Sequence, residues 1–180
     1  FVSNHESTID IPVLLATLPL EFRFIAKKSL RAVPFLGWYM WLAGFVFIDR
    51  SSHHKSATSL KQAGDRIAHG TSIAVFPEGT RSENRQILPF KKAPFALALR
   101  AGVPVIPVAI DGSGALMPKN SWNITPGPIR VAIGMPIDPK QFGGDRLALM
   151  DAVRNAVIDL HLAIGGKGGE RHVRPVSEHA

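Results

Sequence analysis

The chain has 180 residues, of which 46% are hydrophobic, and a chain of this size can bury the core of one domain. It contains no cysteine, which excludes disulfide bonds and thiolate metal sites. The 21 lysine and arginine residues exceed the 14 acidic residues. The resulting net charge of +7 predicts an anionic partner, such as nucleic acid, an acidic lipid surface or a phosphorylated substrate.

Apolar patterns of strand and helix type alternate along the chain. The predicted strands lie at 1–3, 22–26, 45–48, 72–76, 103–110 and 129–133. The predicted helices lie at 11–18, 56–69, 94–101 and 145–164. This alternation predicts an α/β fold with a mostly parallel or mixed sheet flanked by helices, and an antiparallel strand late in the order. The two prolines within 103–110 limit ladder hydrogen bonds and favour an edge strand or a bulge there.

We expect one domain over residues 1–164 and a flexible C-terminal tail over residues 165–180. The tail begins Gly-Gly-Lys-Gly-Gly and lacks apolar periodicity. The chain starts without methionine, and a strand-like Phe1-Val2 leads almost directly to His5. We therefore expect an N-terminal segment to precede residue 1, for which a membrane anchor is one candidate.

No stretch reaches the roughly 20 apolar residues that span a bilayer. The nearest is residues 32–48, which carry no charge but are interrupted by Pro34, Gly37 and Gly44. We predict that its last part enters the core as a strand. Residues 35–42 include two tryptophans and a tyrosine, which are favoured at the membrane–water boundary, and they predict an exposed apolar face that dips into lipid.

The first block with chemical content is Asn4-His5, followed by Asp10. An imidazole can take or release a proton near neutral pH, and a carboxylate bound to its other nitrogen fixes its orientation. The pair can meet only if His5 lies in a turn and Asp10 lies in the first turn of the following helix, and Ser7 and Thr8 suit such a helix start. The alternative is a surface histidine and an aspartate favoured there by the helix dipole.

The block at 76–82, Phe-Pro-Glu-Gly-Thr-Arg-Ser, follows an apolar strand of the kind that is buried on both faces. Ligand sites of open α/β sheets lie at the carboxyl ends of strands, where this block is expected. Gly79 allows close backbone approach, Thr80 supplies a hydroxyl, and Arg81 can bind two phosphate oxygens. Glu78 is suited to orient Arg81 or to bind a substrate hydroxyl. The alternative is a glycine turn with an exposed ion pair.

Basic side chains follow two other predicted strands. Asp49-Arg50 repeats the pattern of a charged pair released at the end of an apolar strand, and Lys27-Lys28 follows the strand at 22–26. We interpret Arg50 and Lys28 as phosphate or head-group contacts, with a solvated charged surface as the alternative.

Several other activities lack their motifs. There is no Gly-x-Ser-x-Gly elbow of a serine hydrolase, no P-loop and no dinucleotide-binding fingerprint. His53-His54 has no carboxylate at metal-ligand spacing, so no metal site is predicted. The positive charge comes without aromatic RNA-binding signatures, so nucleic acid is not the expected partner.

Taken together, the blocks resemble the glycerolipid acyltransferase family, most closely the lysophosphatidic acid acyltransferases. They occur in the family's order: Asn4-His5 with Asp10, then 44–50, 76–82 and 103–108. The resemblance extends from residue 1 to about residue 137. In the family pattern a glycine often follows the Phe-Lys-Lys segment, where this chain has Ala93.

The resemblance implies acyl transfer without a covalent enzyme intermediate. His5 would take the proton from the free sn-2 hydroxyl of lysophosphatidic acid, with Asp10 holding the imidazole. The hydroxyl oxygen would then attack the thioester of acyl-CoA or an acyl carrier protein, giving phosphatidic acid. The glycerol phosphate would be held by the 76–82 block, with help from a second arginine: Glu78, Gly79, Thr80, Arg81 and Arg50. No metal or other cofactor is implied.

Both implied substrates have long apolar tails, so we expect an enzyme that sits on a membrane surface. The family further implies a membrane-associated protein on the cytoplasmic face of the inner membrane, where acyl donors are made. Two alternatives stay open. One is a relative that acylates another lyso-lipid or glycerol-3-phosphate, and the other is a non-catalytic module that binds lipid head groups.

Overall fold

Six strands and six α-helices alternate along the part of the chain that the structure describes. The computed structural model describes residues 1–42, 44–48, 62–121 and 123–171. The strands are β1 (Val2–Ser3), β2 (Phe22–Lys27), β3 (Val46–Ile48), β4 (Ser72–Ala74), β5 (Pro107–Asp111) and β6 (Arg130–Ile133). The α-helices are α1 (Asp10–Thr17), α2 (Leu36–Leu42), α3 (62–68), α4 (Ala93–Ala101), α5 (Ser113–Leu116) and α6 (Arg146–Ala163). Two 3-10 helices cover Lys28–Ala32 and Pro139–Phe142.

All the strands except β6 run parallel in one mixed sheet. β2 lies between β3 and β4, and β5 lies between β1 and β6. A parallel bridge between Val2 and Val75 joins the two groups, because Ser3 N–H donates to Val75 O at 3.1 Å and Val75 N–H donates to Phe1 O at 3.0 Å. The strand order is therefore β3-β2-β4-β1-β5-β6, with β6 antiparallel at the edge. The predicted α/β fold with one late antiparallel strand is confirmed.

Of the two alternatives predicted for 103–110, the edge strand is wrong and the bulge fits the pairing. Val105 pairs with Ile137 and Val108 pairs with Ile133, which leaves one extra residue on the second strand. β5 begins only at Pro107, and all of its residues are buried between β1 and β6. A proline at the first position of a strand needs no ladder donor, and Pro107 O still accepts from Gly134 N–H at 2.8 Å. Pro104 lies outside the strand, so neither proline interrupts the interior of the sheet.

Helices cover both faces of the sheet. Val108 and Ile110 pack into the apolar cluster that includes residues of α1, whereas Ala109 between them packs into the cluster formed with α4 and α6. Successive side chains of a strand point to opposite faces. Helix α1 therefore lies on one face of β5, and α4 and α6 lie on the other.

Local signals set the ends of the helices on the second face. The Asp145 carboxylate accepts the N–H groups of the first turn of α6, which is the standard side-chain N-cap. Helix α4 has a proline in its first turn and ends at Gly102. The predicted helices at 94–101 and 145–164 are confirmed within a residue or two at each end. Helical residues 62–68 match the end of the helix predicted at 56–69, whose residues 56–61 lie outside the described part.

Residues 165–171 pack against the domain, although we predicted a flexible tail from residue 165. Ile87 N–H donates to Gly168 O at 2.8 Å, and the Arg154 guanidinium donates to Glu170 O. Gly168 itself is buried. Residues 172–180 lie outside the described part, so the end of the domain stays a prediction.

Helix α2 and the residue before it present large apolar side chains to solvent. The exposed fractions are 86% for Phe35, 73% for Trp38, 56% for Trp41 and 75% for Leu42. The apolar face predicted at 35–42 is therefore exposed, while its contact with lipid stays a prediction. Within the described residues, no helix has both the length and the hydropathy needed to cross a bilayer.

Candidate active site

Three predicted blocks lie at one edge of the sheet. β1, β2 and β4 are parallel neighbours, so their carboxyl ends point the same way. Asn4-His5 follows β1, Lys28 follows β2, and the 76–82 block follows β4. This edge is where the loops of an open α/β sheet form ligand sites.

His5 and Asp10 meet in the geometry that a general base requires. His5 Nδ1 lies 2.8 Å from Asp10 Oδ2. The same carboxylate oxygen accepts the backbone N–H groups of Glu6 at 2.8 Å and Ser7 at 2.9 Å. Asp10 is the first residue of α1, so the chain curls back between the two side chains. The carboxylate thus holds both the imidazole and the loop that carries it.

The opposite nitrogen of His5 is available to a ligand. The imidazole stacks on the Phe76 ring with a centroid distance of 4.0 Å and an interplanar angle of 11°, which fixes the ring plane. The side chain is 16% exposed, and Nε2 has no hydrogen-bond partner among the described residues. Because Nδ1 faces a carboxylate, Nε2 is the nitrogen that can accept a proton from a bound hydroxyl.

Asn4 anchors this loop to the centre of the sheet, a role that the sequence did not reveal. Its side-chain amide donates to Ile110 O at 2.8 Å, and its carbonyl oxygen accepts Ile110 N–H at 2.8 Å. The amide thereby continues the β1–β5 ladder where the backbone turns away toward His5. An amide directly before the histidine and at the end of a short strand was the only available signal.

Ser7 does not provide a nucleophile. Its hydroxyl is buried and donates to Met117 O at 2.7 Å. The hydroxyl therefore fastens the loop to the residue that follows α5. A direct reaction between two bound substrates fits this arrangement better than an acyl-serine intermediate.

Glu78 supports the histidine loop through two backbone contacts. Its side chain is 3% exposed; Oε1 accepts His5 N–H at 2.9 Å and Oε2 accepts Leu88 N–H at 3.1 Å. Burial raises the pKa of Glu78 from its ordinary 4.5 to about 8, while the two amide hydrogen bonds act in the opposite direction. Both oxygens accept backbone N–H groups, whereas the Arg81 guanidinium donates to Thr8. A contact of Glu78 with a substrate hydroxyl stays a prediction.

Arg81 joins the second block to the first. Its Nη1 donates to Thr8 Oγ1 at 2.9 Å, and Ser82 N–H donates to His5 O at 2.8 Å. The partly exposed guanidinium therefore lies against the loop between His5 and Asp10. This places a strong phosphate donor beside the candidate base.

Gly79 leaves room for a second cation, which was not among the predicted site residues. Gly79 has φ +71°, and a Cβ added there would lie 2.5 Å from Lys91 Nζ. A side chain at this position would displace the ammonium from the exposed turn that Gly79 forms with Thr80. The lysine pair after Phe90 was a visible signal, although such pairs more often form solvated surfaces.

Of the two other predicted basic contacts, Lys28 lies within the described residues and Arg50 does not. Lys28 begins the 3-10 helix after β2 and is exposed at the same edge of the sheet as His5. Arg50 lies outside the described residues. Both therefore stay predictions as phosphate or head-group contacts.

An apolar cavity of about 270 Å³ lies at the other edge of the sheet. Its lining includes Thr71 before β4 and residues 103–106 before β5, and none of the predicted site residues that the structure describes borders it. The candidate site is therefore the open loop cluster around His5 and not this cavity.

The fold and the site together define a class: an α/β domain whose sheet edge carries a bonded histidine–aspartate pair beside a partly exposed arginine. Comparison with known proteins agrees with this description. The family described as Acyltransferase matches residues 1–111, so the chain belongs to the Acyltransferase family.

Named relatives are similar over most of this chain. The chloroplastic 1-acyl-sn-glycerol-3-phosphate acyltransferase BAT2 of Brassica napus is 37% identical over 160 residues, which cover 88% of this chain and 45% of that protein. The 1-acyl-sn-glycerol-3-phosphate acyltransferase of Saccharomyces cerevisiae is 34% identical over 168 residues, which cover 91% of this chain and 55% of the relative. The chain thus spans about half the length of these curated relatives.

A solved structure shares the fold. The crystal structure of the 1-acyl-sn-glycerophosphate (LPA) acyltransferase PlsC from Thermotoga maritima is similar with a TM-score of 0.78 at 34% identity. The match covers 96% of this chain and 67% of the PlsC chain. The α/β fold of this chain is therefore that of a known acyltransferase.

Proposed function

We propose that the protein transfers an acyl chain from a thioester of CoA or acyl carrier protein to the free sn-2 hydroxyl of lysophosphatidic acid, giving phosphatidic acid. The observation that carries this proposal is the juxtaposition of the His5–Asp10 pair with Arg81 through Thr8. A base that activates an alcohol and a cation that binds its phosphate are the two requirements of this acceptor. The names of the relatives support the same substrate.

In the proposed reaction His5 is the only group of the protein that takes up and releases a proton. Nε2 takes the proton of the sn-2 hydroxyl while the hydroxyl oxygen attacks the thioester carbonyl carbon. The C–O bond forms, the C–S bond breaks, and the departing thiolate takes the proton back from the imidazolium. Asp10 stabilises the imidazolium during the step, as in other histidine–carboxylate pairs. General-base assistance of this kind contributes about 10²–10⁴-fold, so the alignment of the two substrates supplies much of the remaining acceleration.

The acceptor phosphate binds at the turn that follows β4. Arg81 offers two parallel N–H donors, and Lys91 places its ammonium against Gly79 in the same turn. With the phosphate held there, the glycerol chain reaches toward His5.

The exposed face of α2 contacts the membrane from which the acceptor is drawn. Phe35, Trp38, Trp41 and Leu42 form this face, and the exposed Arg31 precedes it. Aromatic side chains favour the interfacial region, and the net charge of +7 favours anionic lipid. We place the protein on the cytoplasmic face of the membrane, where thioester donors are made.

The experiment that tests the function offers labelled acyl-CoA to the full-length protein with a panel of acceptors. The panel contains lysophosphatidic acid, lysophosphatidylcholine and glycerol-3-phosphate. We expect labelled phosphatidic acid and one free thiol per acyl group transferred, with lysophosphatidic acid the preferred acceptor. Preference for another acceptor would assign the enzyme to a different lipid. Binding of lysophosphatidic acid without thioester consumption would indicate a head-group binding module instead.

A further inference from the structure

A buried polar cluster lies beneath the loop that carries His5, and the acyl-transfer mechanism does not use it. Three of its members are almost fully buried: Glu6 is 1% exposed, Asp111 is 2% exposed and His161 is 0% exposed. Arg85 reaches the cluster from the segment that follows the 76–82 block. The cluster therefore joins the catalytic loop, the end of β5 and the end of α6.

The distances within the cluster define its hydrogen bonds. His161 Nε2 lies 3.1 Å from Glu6 Oε1 and 3.8 Å from Asp111 Oδ1. Gly114 N–H donates to Glu6 Oε2 at 3.2 Å. Arg85 Nη2 donates to Asp111 Oδ1 at 2.7 Å, and its Nε lies 3.8 Å from Glu6 Oε2. The Glu6 side chain is therefore held from three directions.

The glycine-rich segment after α6 fixes the tautomer of His161. Gly168 N–H donates to His161 Nδ1 at 3.1 Å, so that nitrogen carries the lone pair. The proton then resides on Nε2, which donates it to Glu6. A Cβ at Gly166 would lie 2.3 Å from the imidazole, so only glycine allows the backbone to cover the ring so closely.

These contacts also show that the cluster is not a cation site, although its ligand atoms lie within 4.8 Å of one another. The imidazole directs a proton, not a lone pair, toward the carboxylates. The Arg85 guanidinium already supplies positive charge to both carboxylates. Arg85 has φ +62°, a strained backbone conformation for a non-glycine residue, and this conformation brings its side chain to this position.

Glu6 is directly connected to the candidate base. Its backbone N–H donates to Asp10 Oδ2, the oxygen that also binds His5 Nδ1. The peptide bond between His5 and Glu6 makes the two residues move together. A rotation of the peptide group between His5 and Glu6 would therefore move the imidazole. It would also remove one hydrogen bond from the carboxylate that orients the imidazole.

We propose that His161 is a positioning residue that holds Glu6, and through it the His5–Asp10 pair, in the geometry required for proton transfer. The proposal rests on the proposed function in that it concerns the same base. It assigns a catalytic consequence to the end of α6, which lies 155 residues from Glu6 in the chain. An error of about 1 Å in the position of a base can cost roughly 100-fold in rate, so one buried hydrogen bond is enough to matter.

Two conservative replacements separate this role from a merely structural one. In His161→Gln the amide nitrogen lies near the position of Nε2 and can still donate to Glu6, but the bond from Gly168 is lost. In His161→Asn the carbonyl oxygen lies near the position of Nδ1 and can still accept from Gly168, but the bond to Glu6 is lost. Each variant therefore removes one contact of the imidazole and keeps the other.

The test measures kcat, KM, thermal stability and the ring-nitrogen NMR resonances of His5 in the full-length protein, with acyl-CoA and lysophosphatidic acid as substrates. We expect His161→Asn to lower kcat by about 10–100-fold with both KM values within about twofold, and to displace the His5 resonances. His161→Gln should restore most of kcat and the wild-type resonances. In a Glu6→Ala background, His161→Asn should lower kcat no further.

The possible outcomes are distinct. The proposal would be overturned if the His161→Gln and His161→Asn variants lost kcat equally and in step with their thermal stability. It would also be overturned if His161→Asn kept the wild-type kcat and the wild-type His5 resonances. If the wild-type protein transfers no acyl group but only His161→Asn displaces the His5 resonances, the proposed function fails and the positioning role stands.

Discussion

At the scale of single residues, Glu78 shows how the second block supports the first. Its two carboxylate oxygens accept N–H groups from His5 and Leu88, which are far apart in sequence but adjacent at the sheet edge. Neither contact involves a substrate. The Glu78 side chain therefore supports the loop that carries His5.

We predict that Glu78→Gln lowers the free energy of unfolding and makes that free energy less dependent on pH. The glutamine amide would face a backbone N–H with a second donor, at a cost of roughly 1–3 kcal/mol in the free energy of unfolding. In the wild-type protein the pKa of Glu78 is raised from 4.5 to about 8, so the folded state keeps a proton that the unfolded state releases between these values. The stability from this group is present in full below pH 4.5 and is lost as the pH rises through about 8, with a slope of at most about 1.4 kcal/mol per pH unit.

Denaturant unfolding of both proteins at several pH values between 5 and 8 measures this difference. Glu83→Gln is the matched control, because Glu83 is exposed and pairs with Lys119 on the surface. We expect the control to keep the wild-type dependence on pH. Parallel pH dependences for the wild type and Glu78→Gln would contradict the assignment of the raised pKa to Glu78.

At the scale of elements, the proposed membrane contact of α2 can be tested separately from catalysis. The helix lies in the crossover between β2 and β3, and its exposed apolar side chains take part in none of the hydrogen bonds described for His5 and Arg81. We predict that replacing Trp38 and Trp41 together by serine lowers binding to anionic vesicles by about tenfold or more, since each large apolar side chain contributes roughly 1–3 kcal/mol when it leaves water. The measurement is a vesicle flotation assay with the wild type and the variant.

Exposed apolar side chains outside α2 provide the control for this test. Met135 is 82% exposed and Leu162 is 48% exposed, and both lie outside α2. Their replacement by serine should leave vesicle binding unchanged. If the controls and the tryptophan variant lose binding equally, the protein binds lipid through general hydrophobicity and not through α2.

At the scale of the whole molecule, features with local sequence signals were predictable. The strands before the two motifs are short apolar runs, and the helices α4 and α6 carry their own start and stop residues. The position of His5 in a turn and of Asp10 at the start of α1 also followed from the requirement that the two side chains meet.

Contacts between distant segments could not be predicted in the same way. The bond between Glu6 and His161 joins residues 155 apart, and nothing near either residue indicates the other. The prediction of an edge strand failed because a proline is tolerated at the first position of a central strand but not inside it, and Pro107 begins β5. The support that Glu78 gives to the histidine loop was not predicted, because a sequence does not show which way a carboxylate turns. In each case the tertiary fold decides the role of a side chain whose local pattern allows several.

The central claim is that His5 activates the acceptor hydroxyl, and the most direct test compares the turnover of His5→Ala with that of a matched histidine variant. His69→Ala is the match, because His69 is exposed just after α3 and, among the described residues, its side chain bonds to the Asp65 carbonyl one turn earlier. With acyl-CoA and lysophosphatidic acid, we expect His5→Ala to lose about 10²–10⁴-fold in kcat while its thermal unfolding stays cooperative, and His69→Ala to keep wild-type turnover. A folded His5→Ala protein that forms phosphatidic acid at the wild-type rate would contradict the account.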